Sequence, residues 1–209
     1  MTHRTLAGCA LLALFCSCTG TSLKKTWKSP DYKGAPLTKL AVLAIDERRD
    51  LRIGFENRLV QQIQKNGASA ITTFDLFSLP EVNSDKAGAA RRLQSAGAEA
   101  LVLLRLRDIS SAYRESRPGD ERYAETITGF EMGPWYDYFS VAYADMSPTY
   151  GNLKQKVFLE TSVYDLKTAK RLWSGLTETV VTDTMDRIAE MDPIVAKAVA
   201  AMRKDAIIP

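Results

Sequence analysis

Ala100-Leu101-Val102-Leu103-Leu104-Arg105-Leu106 decides how this chain folds. Leu101 to Leu104 leave no polar face for water, so a strand built from them is buried on both sides. Such a strand calls for helices above and below it, and the preceding residues supply them. Lys39–Ile45 is a second apolar run bounded by turn signals and reads as a buried strand. Asp50 is placed to cap a helix whose Leu51, Phe55, Leu59 and Ile63 recur along one face, and Asn66-Gly67 stops it. Ala68–Phe74 reads as another strand. Asn83 or Ser84 caps a helix through Ala96, which Gly97 ends. Strand, helix, strand, helix, strand with short connections predicts a parallel sheet with right-handed crossovers.

Downstream the pattern changes. Ile109–Asn152 holds two charged clusters, Pro118-Gly119 and the aromatic run Trp135-Tyr136-Asp137-Tyr138-Phe139, with Tyr143 and Tyr150 beyond it, and no single period fits. Irregular segments of this length inside a domain are usually functional or mobile. Leu153–Asp165 alternates, with Val157, Leu159, Thr161 and Val163 on one side. Leu166-Lys167-Thr168-Ala169 turns the chain, and Lys170–Val181 pairs back antiparallel. Asp192-Pro193 opens a last helix whose Val195, Val199 and Met202 face inward. The expected fold is a single α/β domain, a two- or three-layer sandwich in the order β-α-β-α-β, then an antiparallel hairpin and a C-terminal helix. It occupies residues 38–209, with an aromatic-rich insertion at 109–152.

The N-terminus reads as an export signal over residues 1–17. Arg4 supplies the charge and Leu6–Phe15 the ten-residue apolar stretch. A membrane span needs roughly 20 apolar residues, which argues against a retained helix. Phe15-Cys16-Ser17-Cys18 resembles the lipobox of bacterial lipoproteins, which implies cleavage before Cys18 and its acylation. Leu6-Ala7-Gly8-Cys9 is the better literal match, yet it has almost no apolar run ahead of it. Ordinary secretory cleavage and an uncleaved segment are the alternatives. Two or more acyl chains hold a protein stably on a bilayer. Thr19, where Asp is the usual inner-membrane signal, points to the periplasmic face of the outer membrane. Residues 18–37, polar and broken by Pro30, Gly34 and Pro36, read as a tether. Lys24-Lys25-Thr26-Trp27-Lys28 within it is either a solvated linker whose Trp packs on the domain edge or a contact with headgroups or a partner.

Composition narrows the chemistry. The 209 residues are 45% hydrophobic and carry a formal net charge of +3, too balanced for a nucleic-acid partner, which calls for a basic stripe. Cys9, Cys16 and Cys18 and the single His3 all lie in the first 18 residues. Processing at Cys18 leaves neither a free thiol nor an imidazole, so Cys–His nucleophiles, Ser–His–Asp triads and His- or Cys-ligated zinc are excluded from the mature chain. The sequence calls for no cofactor and no metal.

Several short motifs look like a group of uncharacterised bacterial lipoproteins. These are Trp27 and Pro30 after the anchor, the Leu37–Ile45 strand, Phe55-Glu56, Val163-Tyr164-Asp165 and Leu172-Trp173-Ser174-Gly175. More distantly, the order of elements is similar to the periplasmic α/β domains of TolB, the curli-secretion lipoprotein and the penicillin-binding-protein activator lipoproteins. The resemblance implies an envelope lipoprotein with an α/β domain. It supplies no catalytic set.

Trp135, Tyr136, Tyr138, Phe139 and Tyr143 are the candidate contact residues for a partner or ligand, since aromatics give large rigid contact area. The alternative is that they cover one sheet face. Trp173, in an alternating strand, reads as core or edge packing. Glu121 and Glu125 share a helix face and could mimic an acid–base pair. Asp46-Glu47-Arg48-Arg49-Asp50 sits where open α/β sheets bind ligands; lacking phosphate-loop glycines, it reads as a solvated turn with a helix cap. Arg105 and Arg107 read as paired surface charges. The expected function is that of a non-enzymatic, lipid-anchored envelope protein binding another envelope component or itself. The rivals are a periplasmic small-ligand or glycan-binding protein and a carboxylate-based hydrolase.

Overall fold

The computed structural model describes residues 20–108, 134–144, 155–181 and 191–209. The export signal, Cys18, Glu121, Glu125, Tyr150 and most of the 109–152 insertion lie outside the described residues. Six strands form one sheet in the order β1-β6-β5-β4-β2-β3. They are β1 (Thr21–Lys28), β2 (Lys39–Ile45), β3 (Ser69–Thr72), β4 (Ala100–Asp108), β5 (Gln155–Asp165) and β6 (Arg171–Val181). β2 runs parallel to β3 and β4, and β4, β5, β6 and β1 follow one another antiparallel.

Both faces of the sheet are covered, as the apolar run at 101–104 requires. Leu40, Val42 and Ala44 of β2, with Val102 and Leu104 of β4, pack against α1 (Arg49–Lys65) and the last helix (Met191–Lys204). Ala41, Leu43, Ile45, Leu101 and Leu103 point the other way, toward α2 (Leu79–Ser84), α3 (Lys86–Ser95) and α4 (Trp135–Ala144). The last helix is α5. The result is a three-layer α/β/α domain.

Local signals account for most boundaries. Leu51, Phe55, Leu59 and Ile63 are all buried along α1, and Gly67 takes φ 90°, the left-handed conformation that ends a helix. The helix starts one residue earlier than its expected cap: Asp50 lies in the first turn, where its charge suits the dipole, and Arg48 is the N-cap without a side-chain cap bond. The helix expected from Asn83 or Ser84 to Ala96 is α3, capped by Asp85, and the short helix α2 precedes it. Ser78 and Glu81 form a capping box at the head of α2, and Asp85 Oδ1 accepts from Gly88 N at 2.7 Å to start α3.

The reading of 18–37 as a tether is corrected over its described part. Thr21–Lys28 is the edge strand β1, hydrogen-bonded along β6. Thr21 Oγ1 meets Thr179 Oγ1 at 2.9 Å, the Arg171 guanidinium lies 4.7 Å from the Trp27 ring centroid, and Leu37 N donates to Ile207 O at 2.8 Å. An edge strand pairs on one side only and commonly carries lysines, so polarity alone does not separate it from a linker.

A candidate binding cleft at the carboxyl end of the parallel strands

Glu56 of α1 is fully buried and organises the carboxyl end of β2. Its Oε1 accepts from Ala44 N at 3.2 Å, Thr73 Oγ1 at 3.2 Å and Arg52 Nε at 2.9 Å. Its Oε2 accepts from Thr73 N at 2.7 Å and Phe74 N at 2.9 Å. Arg52, one turn earlier, reaches on to Phe77 O at 3.0 Å. One carboxylate therefore ties α1 to the end of β2 and to the chain leaving β3, and its arginine partner adds the approach to α2. The Phe55-Glu56 motif is a structural clamp.

Above this clamp lies an open cleft of ≈ 490 Å³. Asp46, Glu47, Arg49 and Arg52 line its charged side, and Phe74, Leu79, Pro80 and Tyr143 its apolar side. Asp46 is occupied by its neighbour: Oδ1 accepts from Arg48 N at 2.9 Å and Nε at 2.8 Å, and Oδ2 from Nη2 at 2.6 Å. Glu47 and Arg49 are exposed. The turn read as solvated is thus the rim of a concavity at the edge where α/β sheets place ligands. The sequence locates the turn but not its opposite wall, because Phe74 comes from the connection after β3, Leu79 from α2 and Tyr143 from α4.

The structure divides the five aromatic candidates. Trp135, Tyr138 and Phe139 are buried under α4 against the sheet, which corrects their assignment as contact residues. Tyr136 is 37% exposed. Tyr143 stacks on Phe139, with centroids 5.7 Å apart, and reaches the cleft. Residues 135, 139 and 143 recur every four positions, a helical stripe, and a stripe of that spacing is core before it is surface.

Arg105 is also corrected. It is buried, faces the α4 side of the sheet and stands in register opposite Glu160. The Arg107 side chain is outside the described residues. Beside that pair, burial raises the Tyr138 phenol well above 10, with the Glu160 carboxylate the next cause. Burial also raises Tyr164. Below pH 10 folded and unfolded chains both hold these protons. As pH rises through 10 the unfolded chain releases them first, so stability falls. Urea midpoints are expected to decline from about pH 9 to about pH 11, with Tyr138→Phe flattening part of the decline. An unchanged slope in the variant would contradict this role for Tyr138.

Among the described residues no group of three or more His, Cys, Asp or Glu is placed to hold a metal ion, and no helix is long and apolar enough to cross a membrane. No family model matches the chain, and no curated protein matches it. Among solved structures it is similar to the PelC dodecamer from Paraburkholderia phytofirmans, at 11% identity and TM-score 0.46, covering 86% of this chain and 96% of that one. It is also similar to the lipoprotein GNA1162 from Neisseria meningitidis, at 12% identity and TM-score 0.40, covering 81% and 99%. Similarity at this level carries nothing about function.

Proposed function

We propose that this chain is a lipid-anchored, non-catalytic envelope protein whose α/β domain binds another envelope component at the cleft beside Arg49 and Tyr143. One observation carries the reading. The concavity at the carboxyl end of β2 has its inner charges already paired, Asp46 with Arg48 and Glu56 with Arg52, while Glu47 and Arg49 remain exposed at its rim. Carboxylates held by guanidinium groups suit a rigid recognition surface better than proton transfer, which needs a group free to change its protonation state. The lipobox-like segment at Cys18 supplies the anchor, and the mature chain would hold no thiol or imidazole for catalysis.

A photo-crosslinking residue at position 143 is expected to give one defined adduct in intact envelopes, and Arg49→Glu to reduce its yield at least fivefold. The same residue at exposed Lys167, in the turn at the other end of the sheet, is expected to give none. Equal adducts from both positions, or none from 143, would remove the assignment of the surface.

The second reading is a small-ligand or glycan-binding site. The cleft's volume lies within the ≈ 300–1,000 Å³ range of such pockets, and Tyr143 offers a stacking face. A saturable rise in melting temperature with a soluble sugar or small anion, abolished by Tyr143→Ala and unaccompanied by a crosslink, would favour it.

A further inference from the structure

The lysine-rich segment at 24–28 has a position that the binding reading does not use. β1 begins at Thr21, only Thr19 and Gly20 after Cys18. Three residue steps reach at most about 10–11 Å, whereas a domain of about 170 residues has a radius of gyration near 15 Å. An acylated Cys18 therefore holds this edge of the sheet close to the bilayer, with no length of chain for standing off.

The edge carries the chemistry of an acidic lipid surface. β1 holds three lysines, at 24, 25 and 28, and no acid, and all three are exposed. Residues 29–209 carry one more acid than bases, so the positive surplus of the mature chain lies on β1, next to the anchor. Leu23, 39% exposed, lies on the same strand. Part of this charge is engaged within the domain: Lys24 pairs with Glu178 at 3.2 Å, and Lys28 donates to Asp205 O at 2.6 Å. Lysines on an edge strand also guard against pairing with other strands, but that role requires neither the nearby anchor nor the deficit of bases elsewhere.

We propose that β1 lies along the membrane and that its lysines engage the anionic headgroups of the leaflet that holds the lipid anchor. The inference rests on the acylation of Cys18. Each lysine near an anionic surface strengthens attachment roughly fivefold at physiological salt, and the effect decays within about one Debye length, ~8 Å.

The acylated full-length mature protein tests this in vesicles. Its sole remaining cysteine would be consumed by lipid, so a dye reacts only with an introduced thiol. Leu23→Cys marks β1, and Ser69→Cys marks β3 at the opposite edge. With a headgroup quencher in vesicles containing anionic lipid, quenching at position 23 is expected to exceed that at 69 at least threefold. The excess should shrink in high salt, in purely zwitterionic vesicles and in Lys25→Gln with Lys28→Gln. Equal quenching at 23 and 69 in protein of confirmed acyl mass overturns the orientation and leaves the anchor standing. Salt-independent disulfide dimers of the Leu23→Cys variant overturn it in favour of a second copy on the edge. Protein without acyl mass removes both the anchor and this inference.

Discussion

Glu56→Ala lowers the stability of the domain by about 3–5 kcal/mol, the usual cost of stranding one member of a buried ion pair. The loss falls on several groups at once. Arg52, 7% exposed, is left without its carboxylate, and the N–H groups of Ala44, Thr73 and Phe74 lose their acceptor. Against a total stability of about 5–15 kcal/mol such a change brings the fold near its limit. Arg52→Met is milder, about 1–3 kcal/mol, because Glu56 keeps three backbone donors. Arg52→Met combined with Glu56→Leu does not restore stability, since an apolar side chain leaves those donors unpaired. Urea unfolding of the three variants checks the order, and an Arg52→Met loss equal to that of Glu56→Ala would show that the backbone contacts contribute little.

Trp173→Ala costs about 3–5 kcal/mol as well, the range for removing a large buried aromatic. The indole is fully buried among β6, α5 and the C-terminal residues, and its Nε1 donates to Asp205 Oδ2 at 2.7 Å. Gly175 keeps the ring in place, because a Cβ there would stand 2.4 Å from the indole. Gly175→Ala accordingly costs about 1–3 kcal/mol through overpacking, and it adds little to Trp173→Ala once the ring is gone. Full additivity of the two losses would contradict this contact. The Leu172-Trp173-Ser174-Gly175 motif thus describes one packing unit, a large ring and the glycine that makes room for it.

What could be read in the chain depended on whether one element sufficed to reveal it. The buried strands β2 and β4 were legible because both faces are covered and the apolar run is continuous. The helix ends at Gly67 and Gly97 were legible because both residues take positive φ. β1 was not, since an edge strand with exposed lysines resembles a linker until its partner β6 is known. Helix α4 was hidden by aromatic density: five large rings in nine residues suggest a surface, although three of them are buried. Arg105 looked exposed because nothing in its own strand announces Glu160 opposite or α4 above. The cleft was half legible. Asp46 to Arg49 follow a strand at the edge where ligands bind, whereas the wall of Phe74, Leu79 and Tyr143 exists only after folding.

The proposed acylation of Cys18 would supply the anchor, consume the last thiol and set β1 against the lipid. Intact mass of the protein extracted from membranes tests this most directly. The expected result is a chain starting at Cys18 that carries diacylglyceryl and N-acyl groups, with the uncleaved precursor accumulating when globomycin blocks lipoprotein signal cleavage. A mature chain without acyl mass, or one starting at another residue, would contradict it.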